Sequence, residues 1–220
     1  MERNARRTRR FLAVEAALYA AFLALDLFSA RDTRLLKYAS IALCLFAAIR
    51  IARRGGDRTV ALALALTLGA DTFLLLLDRW YLLGVLLFFA VQLAYALRLR
   101  PLFARSVLLP AALLSAALLA LLCALGLLDA LTAAAGVYIA LFACNIRRSL
   151  AWRGRCARLF SAGLALYFLC DLCVGIHNAP ALFPPALAAF ADWGMWLFYL
   201  PGQVLIVLSA EEVPQHAAEK

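Results

Sequence analysis

Residues 159–177 read LFSAGLALYFLCDLCVGIH, nineteen positions with one carboxylate, Asp171, and no Lys or Arg. A stretch this long and apolar matches the roughly 20 residues that an α-helix needs to cross a bilayer. Leu and Ala dominate, with no alternation of polar and apolar positions. Inside lipid every backbone amide must be paired within its own segment, so a helix is the expected form. Seven more segments of the same kind flank it, at 11–30, 35–51, 59–77, 80–97, 106–126, 128–145 and 186–209. The division between 106–126 and 128–145 is the weakest, resting on Gly126 to Asp129. The loop Asn178–Pro185 is the longest at its end of the spans and carries three prolines.

The whole chain has the same character: 66% of its 220 residues are apolar, 16% are charged and the mean hydropathy is +0.89. Soluble domains run at about half apolar and a quarter charged. A disordered chain, a secreted disulfide mini-protein and an ordinary cytosolic enzyme are excluded. The expected fold is all-α, a polytopic membrane bundle of about eight transmembrane helices. Residues 1–220 form one integral membrane domain, with a basic N-terminal arm at 1–10 and a polar tail at 211–220.

The net charge of +9 is distributed by topology. Arg3, Arg6, Arg7, Arg9 and Arg10 precede the first span. Arg50, Arg53, Arg54 and Arg58 fill one gap, Arg98, Arg100 and Arg105 a second, and Arg147, Arg148, Arg153, Arg155 and Arg158 a third. With Lys220, eighteen basic residues fall on one side against Arg31, Arg34 and Arg79 on the other. This is the positive-inside pattern, which puts both termini in the cytoplasm, and the cell membrane of a bacterium is the expected location. Nucleic acid is not an expected partner; membrane lipids are. Glu15 and Asp26 interrupt the first apolar run, which is too long for a signal-peptide core and reads as a retained helix. Cys170 and Cys173 share a helix face, yet no second pair or neighbouring His completes a metal site. His177 and His216 are the only histidines, so the six cysteines read as packing residues and no metal is expected.

Spans 59–77 and 159–177 each follow an Arg-rich loop and each place an aspartate twelve residues from their start, Asp71 and Asp171. That register suggests two parallel four-helix halves. A carboxylate at mid-membrane costs at least about 2.5 kcal/mol, so both aspartates are expected to face the bundle interior. Gln92, Tyr95, Tyr167, Tyr199 and Gln203 also lie within spans, and Lys37 near the outer end of the second. Two aspartates in one pocket, one of them near Lys37, titrate apart and provide the protonated and ionised carboxyls that acid–base hydrolysis needs. Buried Asp, Gln and Tyr also tie helices together by hydrogen bonds alone. Glu15, Asp26 and Asp192 are read as interfacial or structural.

These residues resemble the YhhN-like family of eight-span membrane proteins, which includes the lysoplasmalogenases. The family's first-half signature is Gly-Asp near the end of the third span. A fourth span follows with Gly, Phe, His and Tyr at fixed spacing. Here Asp71 is followed by Phe73 and Leu74, and then by Gly84, Phe88, Gln92 and Tyr95. In the second half Gly163, Tyr167, Cys170 and Asp171 correspond to a Gly, an aromatic residue and Ser-Asp, and Tyr199 and Gln203 to Tyr-x-x-x-Gln. Lys37 matches a Lys-Pro whose proline is Tyr38 here. Gln92 replaces the family's His, Ala70 its Gly and Cys170 its Ser.

The resemblance implies hydrolysis of the vinyl-ether bond of a lysoplasmalogen, giving a fatty aldehyde and a glycerophospho-base without a cofactor. It implies Asp71 and Asp171 as the catalytic pair, Lys37 as a ligand for the phosphate, and Gln92, Tyr95, Tyr199 and Gln203 as substrate- or water-binding residues. The substrate class is a lysophospholipid or ether lipid. The alternative is a non-catalytic lipid-binding or lipid-transport protein of the same fold, favoured by the missing His.

Overall fold

The structure, a computed structural model, describes residues 2–29, 32–99 and 105–211. Arg31, Arg100, His216 and Lys220, and the tail after Glu211, lie outside the described residues. Eight helices follow in order: α1 (Glu2–Phe28), α2 (Arg34–Ala52), α3 (Arg58–Asp71), α4 (Tyr81–Arg98), α5 (Arg105–Ala124), α6 (Ala130–Ser149), α7 (Arg155–Asn178) and α8 (Pro185–Leu208). All eight are long and apolar enough to cross a membrane once the turn that continues α3 is counted. The protein is an integral membrane protein.

Local chemistry sets the ends. Asp57 caps α3 by accepting from the Thr59 amide at 2.8 Å. Asp129 accepts from the Thr132 amide while Thr132 Oγ1 accepts from the Asp129 amide, a capping box that divides α5 from α6 at the expected place. Those bonds, the Thr132 amide first, hold the Asp129 carboxyl below its usual range. The basic arm is helical, α1 beginning at Glu2, and the first span grows directly out of it. Beyond Asp71, α3 widens into a π-helical stretch at Thr72–Leu76, in which the Leu77 amide donates to the Thr72 carbonyl at 2.9 Å. Periodicity alone shows residues 59–77 as one uninterrupted span.

The pairings α1–α2, α2–α3 and α3–α4 recur as α5–α6, α6–α7 and α7–α8. The two sets are not separate bodies: α4 packs on α6, and α8 returns to α1 and α2, closing a ring. Helix α5 leans on α6 from outside, with Leu109, Leu113 and Leu121 facing outward. The closest pair is α7 with α8, which cross where Gly163 meets Gly202. A Cβ on Gly163 would lie 2.8 Å from the Gly202 carbonyl oxygen, and one on Gly202 would lie 3.0 Å from the Tyr167 nitrogen. With little hydrophobic drive between helices in lipid, such backbone proximity supplies dispersion contacts that side chains would prevent.

At the arginine-rich end, Arg98 is buried rather than solvated. Its Nε donates to Asp57 at 2.7 Å, its Nη1 to Ser209 Oγ at 2.8 Å and its Nη2 to the Ser209 carbonyl at 2.7 Å. The guanidinium also lies 4.3 Å from the Phe160 ring centroid. One side chain therefore ties α4 to the ends of α3, α7 and α8, a role beyond the topological charge assigned to it by position.

Two predictions follow from this packing. Gly163→Ala and Gly202→Ala each lower the thermal midpoint of the detergent-solubilised protein by an overpacking cost of about 1–3 kcal/mol. Gly175→Ala, whose Cβ meets nothing within 4 Å, leaves the midpoint level or higher. Arg98→Met costs about 3–5 kcal/mol, because Asp57 is left as a lone buried charge. Adding Asp57→Asn to Arg98→Met recovers part of that loss, read in the same melting experiment.

Candidate active site

Helix α3 carries Asp71 about 20 Å from its start at the basic end, and α7 carries Asp171 about 24 Å from its own start. Both carboxyls thus lie in the half of the bundle away from the arginines. Relative to the helix starts the two differ by about one turn, because α7 begins earlier than its apolar run. Asp71 is 5% exposed and accepts a hydrogen bond at 2.8 Å from Tyr199 Oη on α8. Asp171 accepts one from the Tyr138 hydroxyl on α6. Between these two tyrosines stands Tyr167 of α7, fully buried, its ring 5.5 Å from that of Tyr199. Phe142 packs edge-on against Tyr167 at 5.0 Å and beside Tyr138 at 5.8 Å. The rings of Tyr167 and Phe142 link Tyr199 to Tyr138, so the two carboxyls are held by phenols of one aromatic cluster.

A second polar tier lies toward the basic end. Gln203 is one turn beyond Tyr199 on α8, and Thr67 one turn before Asp71 on α3. Gln92 on α4 is fully buried, its main-chain carbonyl and side-chain Oε1 accepting from Asn145 Nδ2 at 2.9 and 3.1 Å. Thr67 Oγ1, Gln92 Nε2, Asn145 Oδ1 and both amide atoms of Gln203 are buried without a protein partner. Buried polar atoms of this kind are normally met by water or by a polar ligand. Tyr95 packs against Phe160 at 5.4 Å, the ring on which the Arg98 guanidinium rests, so it stands on the basic side of this tier, its hydroxyl also buried without a protein partner.

Lys37 occupies neither tier. Its Nζ pairs with Asp26 Oδ2 at 2.8 Å and lies 4.7 Å from the Trp196 ring centroid. Asp26 also accepts from Thr33 Oγ1 at 2.6 Å. Trp196 is 5.4 Å from Tyr199, so Lys37 is separated from Asp71 by two aromatic rings. The expectation that Lys37 modulates one of the two aspartates directly does not match this geometry; its partner is Asp26. Glu15 is 3% exposed and accepts from Cys44 Sγ at 3.4 Å, which makes it a structural tie away from the interface. Asp192 pairs with His177 Nδ1 at 2.7 Å on an exposed edge.

Tyr138 and Asn145 are absent from the expected set. They lie two turns apart on one face of α6 within an apolar span, and that spacing was the available signal. Tyr38 also enters, with its hydroxyl 3.0 Å from Thr72 Oγ1 where the π-helical stretch begins. All six cysteines are free. Cys173 packs against α8, its Sγ standing 3.1 Å from where a Cβ on Gly194 would lie. Among the described residues no group of three His, Cys, Asp or Glu side chains could hold a metal ion.

No curated protein and no solved structure matches the chain. The sequence profile of the YhhN family matches residues 33–210, which include the whole of both tiers, and the protein belongs to the YhhN family.

Proposed function

We propose that this protein is a membrane hydrolase that opens the vinyl-ether bond of lysoplasmalogens by carboxyl acid–base chemistry, using Asp71 and Asp171. What supports this reading is that two carboxyls from different helices each accept a phenol, and that the two phenols are linked by the rings of Tyr167 and Phe142. An enol ether is hydrolysed by protonation at its β-carbon, which leaves an oxocarbenium ion at the carbon bearing oxygen. Water adds there and loses a proton, giving a hemiacetal that collapses to a fatty aldehyde and the free hydroxyl of the glycerophospho-base. One carboxylic acid supplies the first proton, and one carboxylate stabilises the cation and takes the proton from water. Two carboxyls sharing a water-poor chamber meet that need with a single proton between them.

The aromatic wall suits an apolar chain, while the unpartnered amides of Gln92 and Gln203 suit glycerol hydroxyls or the attacking water. Tyr199 and Tyr138 act as positioning residues. In this mechanism Lys37 is a phosphate ligand only if the headgroup replaces or joins Asp26 at its ammonium. The basic end is assigned to the cytoplasm by the arginine bias, in the cell membrane of a bacterium.

Non-catalytic lipid binding is the second reading. It is favoured by Gln92, which stands where the family has His and is held by Asn145.

Asp71→Asn and Asp171→Asn are each expected to lower aldehyde release from a lysoplasmalogen by about 10²- to 10⁴-fold, with the protein still inserted and melting normally. Undiminished release in both variants removes the mechanism, and a wild-type time course without aldehyde selects the binding reading. Tyr138→Phe is expected to reduce kcat by roughly ten- to a hundredfold with KM little changed, since it removes one hydrogen bond to a charged group.

A further inference from the structure

A groove of about 430 Å³ opens at the arginine-rich end, on the side of the bundle where α1, α2 and the end of α8 meet. Arg7 and Arg10 from α1, Arg50 from α2 and Arg54 from the turn after it stand around it. Val14, Leu43, Phe46 and Val207 form its walls. Arg98, the buried guanidinium of the same end, is not among its lining, and the carboxyl chamber lies toward the other face of the membrane. The groove is therefore separate from the site described above and does not depend on its function.

We propose that this groove binds one anionic glycerophospholipid from the leaflet at the basic end. The phosphate lies among the arginines and an acyl chain descends along the apolar wall. Charge complementarity carries the first half of the assignment: among the described residues that line the groove, four are arginines and none is acidic. Glu211, at the rim, is engaged by Thr8 Oγ1 at 3.5 Å. The Arg50 guanidinium lies 5.2 Å from the Phe46 ring centroid, a cation–π contact that holds the charge at the mouth.

The wall carries the second half. Arg7 to Val14 spans seven residues of α1, and Arg54 to Leu43 spans eleven along α2 and the turn after it. At helical rise the lined surface extends about 10–16 Å inward, enough for a glycerol backbone and the first methylenes of a chain. A soluble anion would leave this wall unused, and a zwitterionic lipid would bring no net charge to the four guanidiniums. Basic pockets between transmembrane helices recognise anionic headgroups in this way.

The test uses the full chain in neutral detergent, with lipid adducts counted by native mass spectrometry. Dioleoyl phosphatidylglycerol is expected to be retained well beyond dioleoyl phosphatidylcholine, and glycerol 3-phosphate not to be retained at all. Arg10→Gln with Arg50→Gln weakens phosphatidylglycerol retention by about fivefold per arginine. Arg153→Gln with Arg155→Gln, at exposed positions of the same end but outside the groove, leaves retention unchanged. Leu43→Trp keeps every charge but narrows the slot, and also weakens retention. Each variant is accepted once its melting midpoint matches the parent. Equal retention of the two lipids, equal loss in the Arg153/Arg155 pair, or no effect of Leu43→Trp overturns the site. Retention of glycerol 3-phosphate as strong as that of the lipid overturns the lipid assignment in favour of a free-phosphate site.

Discussion

A polar side chain enclosed among helices in lipid has no bulk water to satisfy it, so its partner must come from another part of the ring. The charged groups among the described spans obey that constraint, whereas Thr67 and the Gln203 amide are enclosed without a protein partner. Asp71 on α3 is met from α8, Asp171 on α7 from α6, Glu15 on α1 from α2, and Lys37 on α2 from α1. Gln92 on α4 is met from α6, and Arg98 on α4 from the starts and ends of its neighbours. Because helix association in lipid gains little from hydrophobic burial, these bonds and the close α7–α8 crossing set which helices are neighbours. The chamber is thus a product of the same ties that close the ring.

The chamber and the basic groove divide the molecule's chemistry between its two ends. Acidic and phenolic groups gather in the half away from the arginines, among aromatic rings. Guanidiniums gather at the other end, around an aliphatic slot. The amide tier between them is the part of the interior richest in polar atoms without protein partners.

The number of helices and the depth of Asp71 and Asp171 are legible in the sequence, because both follow from the one-dimensional cost of placing charge in lipid. The partner of each charge is less legible, because partners are set by which helices touch. Lys37 shows the limit: its place in the second span is evident, but its attachment to Asp26 depends on how α1 and α2 pack. Glu15 looks like an interfacial residue when α1 is considered alone, and only α2 with Cys44 makes it a core residue. Tyr138 and Asn145 lie on a helix that carries no carboxylate, so their two-turn spacing is the only mark along α6, and their partners appear only when α7 and α4 are placed beside it. The family resemblance identifies Gly163, and the structure supplies the reason in the approach of the Gly202 backbone.

The widened turn at Thr72–Leu76 begins immediately after Asp71, at the point where Tyr38 meets Thr72. It contains one residue more than a regular helix of the same rise requires. Loss of one residue there would restore the regular turn and leave both flanks in place, Trp80 beyond it as well as Asp71, which stays in register with Tyr199. The turn can therefore gain or lose one residue, and change which side chains it presents, without moving the acid itself, a route by which related chains could diversify their interior.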